Sequence, residues 1–263
     1  MSELNKNLLL KIYDSERLSE ASQIVLNGKN ITKIEANAFE GLVKLKKLFL
    51  LDNKISLIDL NAFRHLSNLR ELYLNQNNLK EIDSNIFNGL LKLEILQLNH
   101  VEALRIHVHA FRDVSSNLRE LYLNNNKLSE LNADLFNGLS QLERLSLSDN
   151  FIENIHSSQF HELVNLKELN LSNNKLKALS DDLFKRQTDL KILRLDGNQI
   201  SEIDSKTFRP MSKLKEMYLS SNKLVDISRK WFKKLPELEI LKLNNNAIRK
   251  IDENAFKDLS MLT

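Results

Sequence analysis

Aliphatic residues recur along this chain on a fixed beat. Two of them flank a single, mostly polar residue, and a phenylalanine follows fifteen positions after the first, as in Leu72-x-Leu74 and Phe87. The phenylalanines are Phe39, Phe63, Phe87, Phe111, Phe136, Phe160, Phe184, Phe208, Phe232 and Phe256, spaced 24 residues apart with one step of 25. Aligned on them, the unit reads LxxLxLxxNxLxxLxxxxFxxLxx. The first position of the LxL core falls at Ile24, Leu48, Leu72, Leu96, Leu121, Leu145, Leu169, Leu193, Met217 and Leu241, which makes ten units. A constant period of this length means one small structural unit stacked on copies of itself. Each copy contacts its neighbours only, so stability is collective.

Within a unit, the LxL alternation has period 2 and predicts a short strand with its leucines on one face. The spacing after the asparagine suits neither a strand nor a sustained helix, so irregular or 3₁₀ backbone is expected to return to the next strand. Five glycines and two prolines are too few for the turns, which must rest on Asn, Asp and Ser. The phenylalanines are expected to stack as one buried spine. The asparagines at 53, 77, 126, 150, 174, 198, 222 and 246 form a second register between leucines. An unpaired buried amide costs about 1–3 kcal/mol, so each is expected to bond backbone groups of its own repeat and the next.

Charge adds little to this picture. The 263 residues carry 38 basic and 35 acidic side chains, net +3, interspersed along the chain. Such a balance is not a nucleic-acid footprint. No apolar run approaches the length of a membrane span, and the start, Met1 to Asn5, lacks the basic region of a signal peptide. With no cysteine there can be no disulfide or thiolate metal site, which leaves the compartment open.

The motif resembles the leucine-rich repeat family in its 24-residue "typical" form, over residues 24–262. The resemblance implies an α/β, β-dominated right-handed solenoid with a parallel sheet on the concave face. It implies protein recognition as the role, and within the family the chain looks most like extracellular arrays of adhesion, axon-guidance and Toll-like receptor proteins. Those arrays usually end in cysteine-rich caps, and this chain has none. We therefore expect residues 1–23 to be an N-terminal cap or partial repeat, and 24–263 to be ten repeats without their C-terminal cap. Leu262 already occupies the opening leucine position of an eleventh unit, so either a fragment or a cap outside this sequence is expected.

Candidate binding residues lie on the outward side of the strands. The central x positions are Val25, Phe49, Tyr73, Gln97, Tyr122, Ser146, Asn170, Arg194, Tyr218 and Lys242. Phe49, Leu51, Tyr73, Tyr122, Arg194 and Tyr218 are the candidate protein-binding set, because rigid aromatics and arginine anchor interfaces. The run "LYL" is common in the family, so packing preference accounts for the tyrosines equally well. Phe49 and Leu51 have no evident packing role and are expected to be exposed. Repeat four departs from the pattern: Val101 fills the asparagine slot, Ala103 a leucine slot, and one residue is added near Ser115. It also holds His100, His107 and His109, which are expected in solvated turns rather than at a metal. Asn30 and Asn170 sit in glycosylation sequons. No nucleophile motif, phosphate loop or HExxH appears. The sequence thus predicts a non-enzymatic, cofactor-free module for a protein ligand or co-receptor, in a secreted or cell-surface receptor, adhesion or signalling protein. A cysteine-free intracellular or bacterial scaffold or effector, and a nucleic-acid-sensing solenoid, are the alternatives. Oligomeric state is left open.

Overall fold

The computed structural model describes residues 2–263, and it falls into two compact units, one running up to Lys127 and one over Leu128–Thr263. In the first unit the strands Gln23–Val25, Lys47–Phe49, Glu71–Tyr73, Ile95–Gln97 and Glu120–Tyr122 form a parallel ladder. In the second the ladder is Arg144–Ser146, Glu168–Asn170, Ile192–Arg194, Glu216–Tyr218 and Ile240–Lys242. Pairing joins equivalent positions, so Leu48 faces Leu72 and Leu193 faces Met217. The central residue of each strand is the first aliphatic position of LxL; it is buried in every strand except Ile240–Lys242, where Leu241 is half-buried. Both neighbours of that residue point the other way, as the pleat requires. Two-residue strands such as Glu81–Ile82 with Arg105–Ile106 line part of the return path, which is otherwise turns with one 3₁₀ segment, Arg112–Val114.

The backbone turns off each ladder strand through one residue at positive φ. These are Gly28, Asp52, Gln76, His100, Asn125, Asp149, Asn173, Gly197, Ser221 and Asn245, at φ of 52–67°. Asn and Asp tolerate this region because their short side chains bond locally. At Gly197 a Cβ would sit 2.1 Å from Asn173 Oδ1, so a side chain there would have to displace that amide.

Directly after this residue comes the ladder amide. Asn77 is typical: Nδ2 donates to Leu74 O at 2.7 Å and to Leu50 O at 3.0 Å, while Oδ1 accepts from Ile55 N at 2.9 Å. Asn53, Asn174, Asn198, Asn222 and Asn246 repeat the scheme with the same offsets of 3, 27 and 22 residues back. The expectation that these amides bond their own repeat holds, but the expectation that they reach the next is corrected: their second set of partners lies in the preceding repeat. The direction follows from geometry. The turn at positive φ swings the side chain back under the strand just completed, where the previous repeat's carbonyl and N–H are still free.

Repeat four shows what happens when the amide is missing. The buried Val101 can accept nothing, so Leu79 N, the group that an asparagine there would have bonded, has no partner among the described residues. Asn126 of the following repeat serves Val101 N, Ala103 N and Leu98 O. The added residue is absorbed where Leu118 N bonds Val114 O, four residues back in place of the usual three.

Nine of the ten phenylalanines are at most 1% exposed. Neighbouring rings stack at centroid distances of 5.9 Å (Phe39–Phe63) and 6.2 Å (Phe87–Phe111) in the first unit, and 6.1–6.5 Å from Phe136 to Phe208 in the second. Phe256 departs from the expected spine: it tilts on Phe232 and is 36% exposed. The position before each phenylalanine is also buried. Where it is polar, it bonds a carbonyl of the previous repeat, as with Gln159 to Asn132 O, Thr207 to Leu179 O and Trp231 to Ile203 O.

Residues ahead of the first repeat form a strand, Ser2–Leu4, and two short helices, Lys6–Ile12 and Ser15–Glu20, capped by Asn5 and Asp14. Met1, part of the expected 1–23 segment, lies outside the described residues. Leu4, Leu9 and Leu18 are buried, while Leu10 and Ile12 remain exposed. Tyr13 Oη donates to Val25 O at 2.9 Å and accepts from Val25 N at 3.1 Å, so it occupies backbone groups of the edge strand.

Phe136→Ala should cost about 3–5 kcal/mol, read as a lowered denaturant midpoint, whereas Phe256→Ala should cost less than about half of that, because part of its ring is already in water. Val101→Asn should raise stability by about 1 kcal/mol by giving Leu79 N an acceptor. Slower amide exchange at Leu79 is the direct check, and unchanged exchange there would contradict the assignment.

Candidate functional site

The leucines, asparagines and phenylalanines are committed to the interior, so the ladder face carries the side chains that folding leaves free. In the first unit, Phe49 and Tyr73 are paired residues of adjacent strands. Strand spacing of about 4.8 Å brings such rings to stacking distance, and their centroids lie 4.6 Å apart with planes 5° from parallel. Tyr73 Oη donates to Glu71 Oε2 at 2.8 Å, and Glu71 Oε1 pairs with Lys47 Nζ at 2.9 Å. Leu51, two residues after Phe49, is the one aliphatic residue of a column otherwise made of Asn27, Asn75, Asn99 and Asn124. Phe49 and Leu51 were expected to be exposed, and both are half-buried. For Phe49 the reason is the tyrosine ring against its face. Tyr122 lies two strands on from Tyr73, with Gln97 between them, and its hydroxyl bonds Glu120 at 2.8 Å.

The second unit holds the remaining candidates as a separate pair. Arg194 and Tyr218 are register partners, and the guanidinium sits 4.2 Å from the ring centroid. Tyr218 Oη donates to Glu216 Oε2 at 2.7 Å. The same Glu-x-Tyr device thus recurs at residues 71–73, 120–122 and 216–218, and it fixes each ring by tethering its hydroxyl. It also changes the tyrosines' acidity. Burial and the Glu71 carboxylate together push the Tyr73 phenol well above its usual range. The bond to Glu216 does the same for Tyr218 and burial adds to it, while the Arg194 charge pulls the other way. Attention to the x of LxL alone overlooks Ile95, Ile192 and Ile240, which stand half-buried on the same face. The alternation that exposes Tyr73 exposes the residue two before it, and that was the available signal.

Across the second unit, residues 129–263 match the model of a BspA type leucine rich repeat region in six copies, just over half of the chain. The chain belongs to the leucine-rich repeat family. Two further leucine-rich repeat models match residues 19–79 and 117–139. Among solved structures, the repeats are similar to a chain of the glycosylated Toll–Spatzle complex, described as a molecular hub in Drosophila development and innate immunity. The two are 26% identical with a TM-score of 0.81, over 86% of this chain and 32% of that one. A second structure of the same Drosophila complex matches at 22% identity and TM-score 0.73, over 88% of this chain and 35% of that one, and shows the shared fold. This chain therefore spans about a third of the length of the chains it resembles. No curated protein sequence matches it.

Other sequence candidates fall away from the ladder face of this leucine-rich repeat chain. His107 and His109 lie with ring centroids 5.5 Å apart on the return path, and His109 N donates to His107 Nδ1. His100 occupies the turn at positive φ. Among the described residues no group of three or more His, Asp or Glu is arranged to hold a metal, and no helix is long and apolar enough to cross a membrane. Of the two sequon asparagines, Asn170 uses its Oδ1 to accept from Ser172 Oγ at 2.7 Å.

The tethering can be read by tyrosinate absorbance. Glu216→Gln should move the Tyr218 transition to lower pH, because it removes the negative charge that opposes ionisation. Arg194→Ala should move it to higher pH, because it removes the charge that favours the phenolate. Equal titration in both variants and the parent would contradict this geometry.

Proposed function

We propose that this leucine-rich repeat chain is a non-enzymatic recognition module that engages a protein partner through its strand-ladder face. One observation carries the reading: the stacked Phe49–Tyr73 pair, with Leu51 beside it, occupies positions that the repeat itself does not need for packing. Tyr122 extends the same face within the first unit, and Arg194 on Tyr218 offers a second anchor in the other. Tethered rings lose little entropy when a partner covers them, which suits them to this task. Support comes also from the likeness to a chain that a structure shows in a protein–protein complex. A place in a secreted or cell-surface receptor or adhesion protein goes with that likeness. Residues 1–23 act in this reading as the cap that closes the first repeat, through Tyr13 on the edge strand.

The test begins with affinity capture using the chain as bait, followed by variants against the captured partner. Phe49→Ala with Tyr73→Ala should weaken binding at least about tenfold, a loss of roughly 1.4 kcal/mol. Losing the stack should cost about 0.5–1.5 kcal/mol beyond the loss of half-buried ring area, so the double variant should still unfold cooperatively at a modestly lower melting temperature. Arg64→Ala with Arg112→Ala, on the return path, should leave affinity unchanged. The opposite pattern would reject the ladder face as the binding surface.

A further inference from the structure

The second unit carries a basic recess on its return path, far along the sequence from the aromatic pair of the first unit. Lys206, Arg209, Lys230, Lys233 and Lys234, together with Ser205, line a cavity of about 280 Å³. The period builds it. Lys206-Thr207-Phe208-Arg209 of one repeat and Lys230-Trp231-Phe232-Lys233 of the next are 24 residues apart, so cation stands over cation at both ends of each segment. The two residues inside each segment are buried, with Thr207 Oγ1 bonded to Leu179 O and Trp231 Nε1 to Ile203 O. The backbone that bears the cations is thereby fixed.

This arrangement runs against the rest of the protein. Elsewhere a 24-residue step sets opposite charges together, as in Lys47–Glu71, Lys177–Glu153 and Lys213–Asp189. Even the like-charged column Lys167, Lys191, Lys215 is closed by carboxylates at both ends, through Glu143 and Glu239. Around the recess, no ion pair is found among the described residues for any of the five cations. Asp181, at its margin, turns a carboxylate oxygen onto the backbone N–H of Lys206 rather than onto an ammonium group. Like charges gathered around one hollow oppose folding by mutual repulsion, and no packing need calls for them.

We propose that this recess binds a compact ligand bearing several phosphate or sulfate groups. Multiple lysines around one hollow match clustered anionic oxygens, each bond strengthened by charge. The size argues for a compact ligand: the cations come from two consecutive repeats, and Asp181 and Asp182 stand where an extended polyanion would continue.

Titration of the protein with inorganic tripolyphosphate at low ionic strength provides the test. Saturable binding should appear and should weaken steeply as salt is added. Lys206→Gln, Lys230→Gln, Lys234→Gln together should weaken it at least about tenfold. The control Lys54→Gln, Lys80→Gln, Lys250→Gln makes the same change in net charge and should leave affinity within about twofold. The melting temperature of the first variant should equal or exceed that of the parent, since repulsion has been removed. In the unmodified protein, tripolyphosphate should shield Lys206, Lys230, Lys233 and Lys234 from acetylation, a readout independent of any variant. Binding to phosphatidylcholine vesicles that contain phosphatidylinositol bisphosphate, competed by tripolyphosphate, would support the site with a lipid headgroup as source. Tripolyphosphate binding without vesicle binding would support it with a soluble source. No saturable binding, equal loss in both triple variants, or tighter binding of single-stranded oligonucleotides that grows with their length would overturn the proposal.

Discussion

The tie between one repeat and the next is a buried side-chain amide, and the rest of the array depends on it. Each turn off the ladder strand leaves two carbonyls and an N–H without partners in the interior. An asparagine at that point supplies two donors and an acceptor, and Asn77 uses all of them on Leu50, Leu74 and Ile55. Aspartate would lack the donors, and an aliphatic residue lacks everything. The bonds look backwards along the chain, so each repeat completes its predecessor. Val101 shows the tolerance of the scheme. Leu74 O and Leu98 O keep one amide donor each, Asn77 and Asn126 in their usual roles, and one N–H, that of Leu79, is left over.

Because the amides and phenylalanines hold the stack, the ladder face is free to vary, and its variation is not random. Register pairing converts a 24-residue spacing in sequence into side-by-side placement in space. Lys47 meets Glu71, Phe49 meets Tyr73, and Arg194 meets Tyr218 by the same rule. The surface ion pairs this produces are individually weak. The aromatic pair is different in kind, since it holds apolar area at the surface where a polar side chain would serve the fold equally well.

Much of this was legible in the chain. The alternation around Leu72 and Leu74 specified a strand, and the recurrence of Phe87 and its equivalents specified a stacked core. The direction in which the amides reach was not legible, because sequence spacing is symmetric about each asparagine and only the turn at positive φ breaks that symmetry. Nor was the exposure of Phe256, which depends on a neighbour rather than on its own repeat. The half-burial of Phe49 was missed for a related reason: its cover is a residue 24 positions away. Buried Gln159 and Thr207 escaped notice because their partners are main-chain carbonyls of the preceding repeat, which no side-chain pattern reveals.

The same register rule that neutralises charge over most of the protein concentrates it around Lys206 and Lys230. A repeat array makes this contrast informative. In a globular domain, like charges come together through the accidents of a unique fold, and no position offers a comparison. Here every column has equivalents one repeat away. Position 182, one step before Lys206, is an aspartate, and the two following steps are lysines. A carboxylate at either lysine position would have relieved the repulsion at no cost to packing, since both side chains are exposed and their neighbours Thr207 and Trp231 carry the burial. Retaining the repulsion in the unbound protein is the condition for an anion to be welcomed there, because a site already neutralised from within offers a polyanionic ligand little to gain. The ladder face and the basic recess therefore rest on one argument: in a repeat protein, function is to be sought where a column departs from what stacking alone requires.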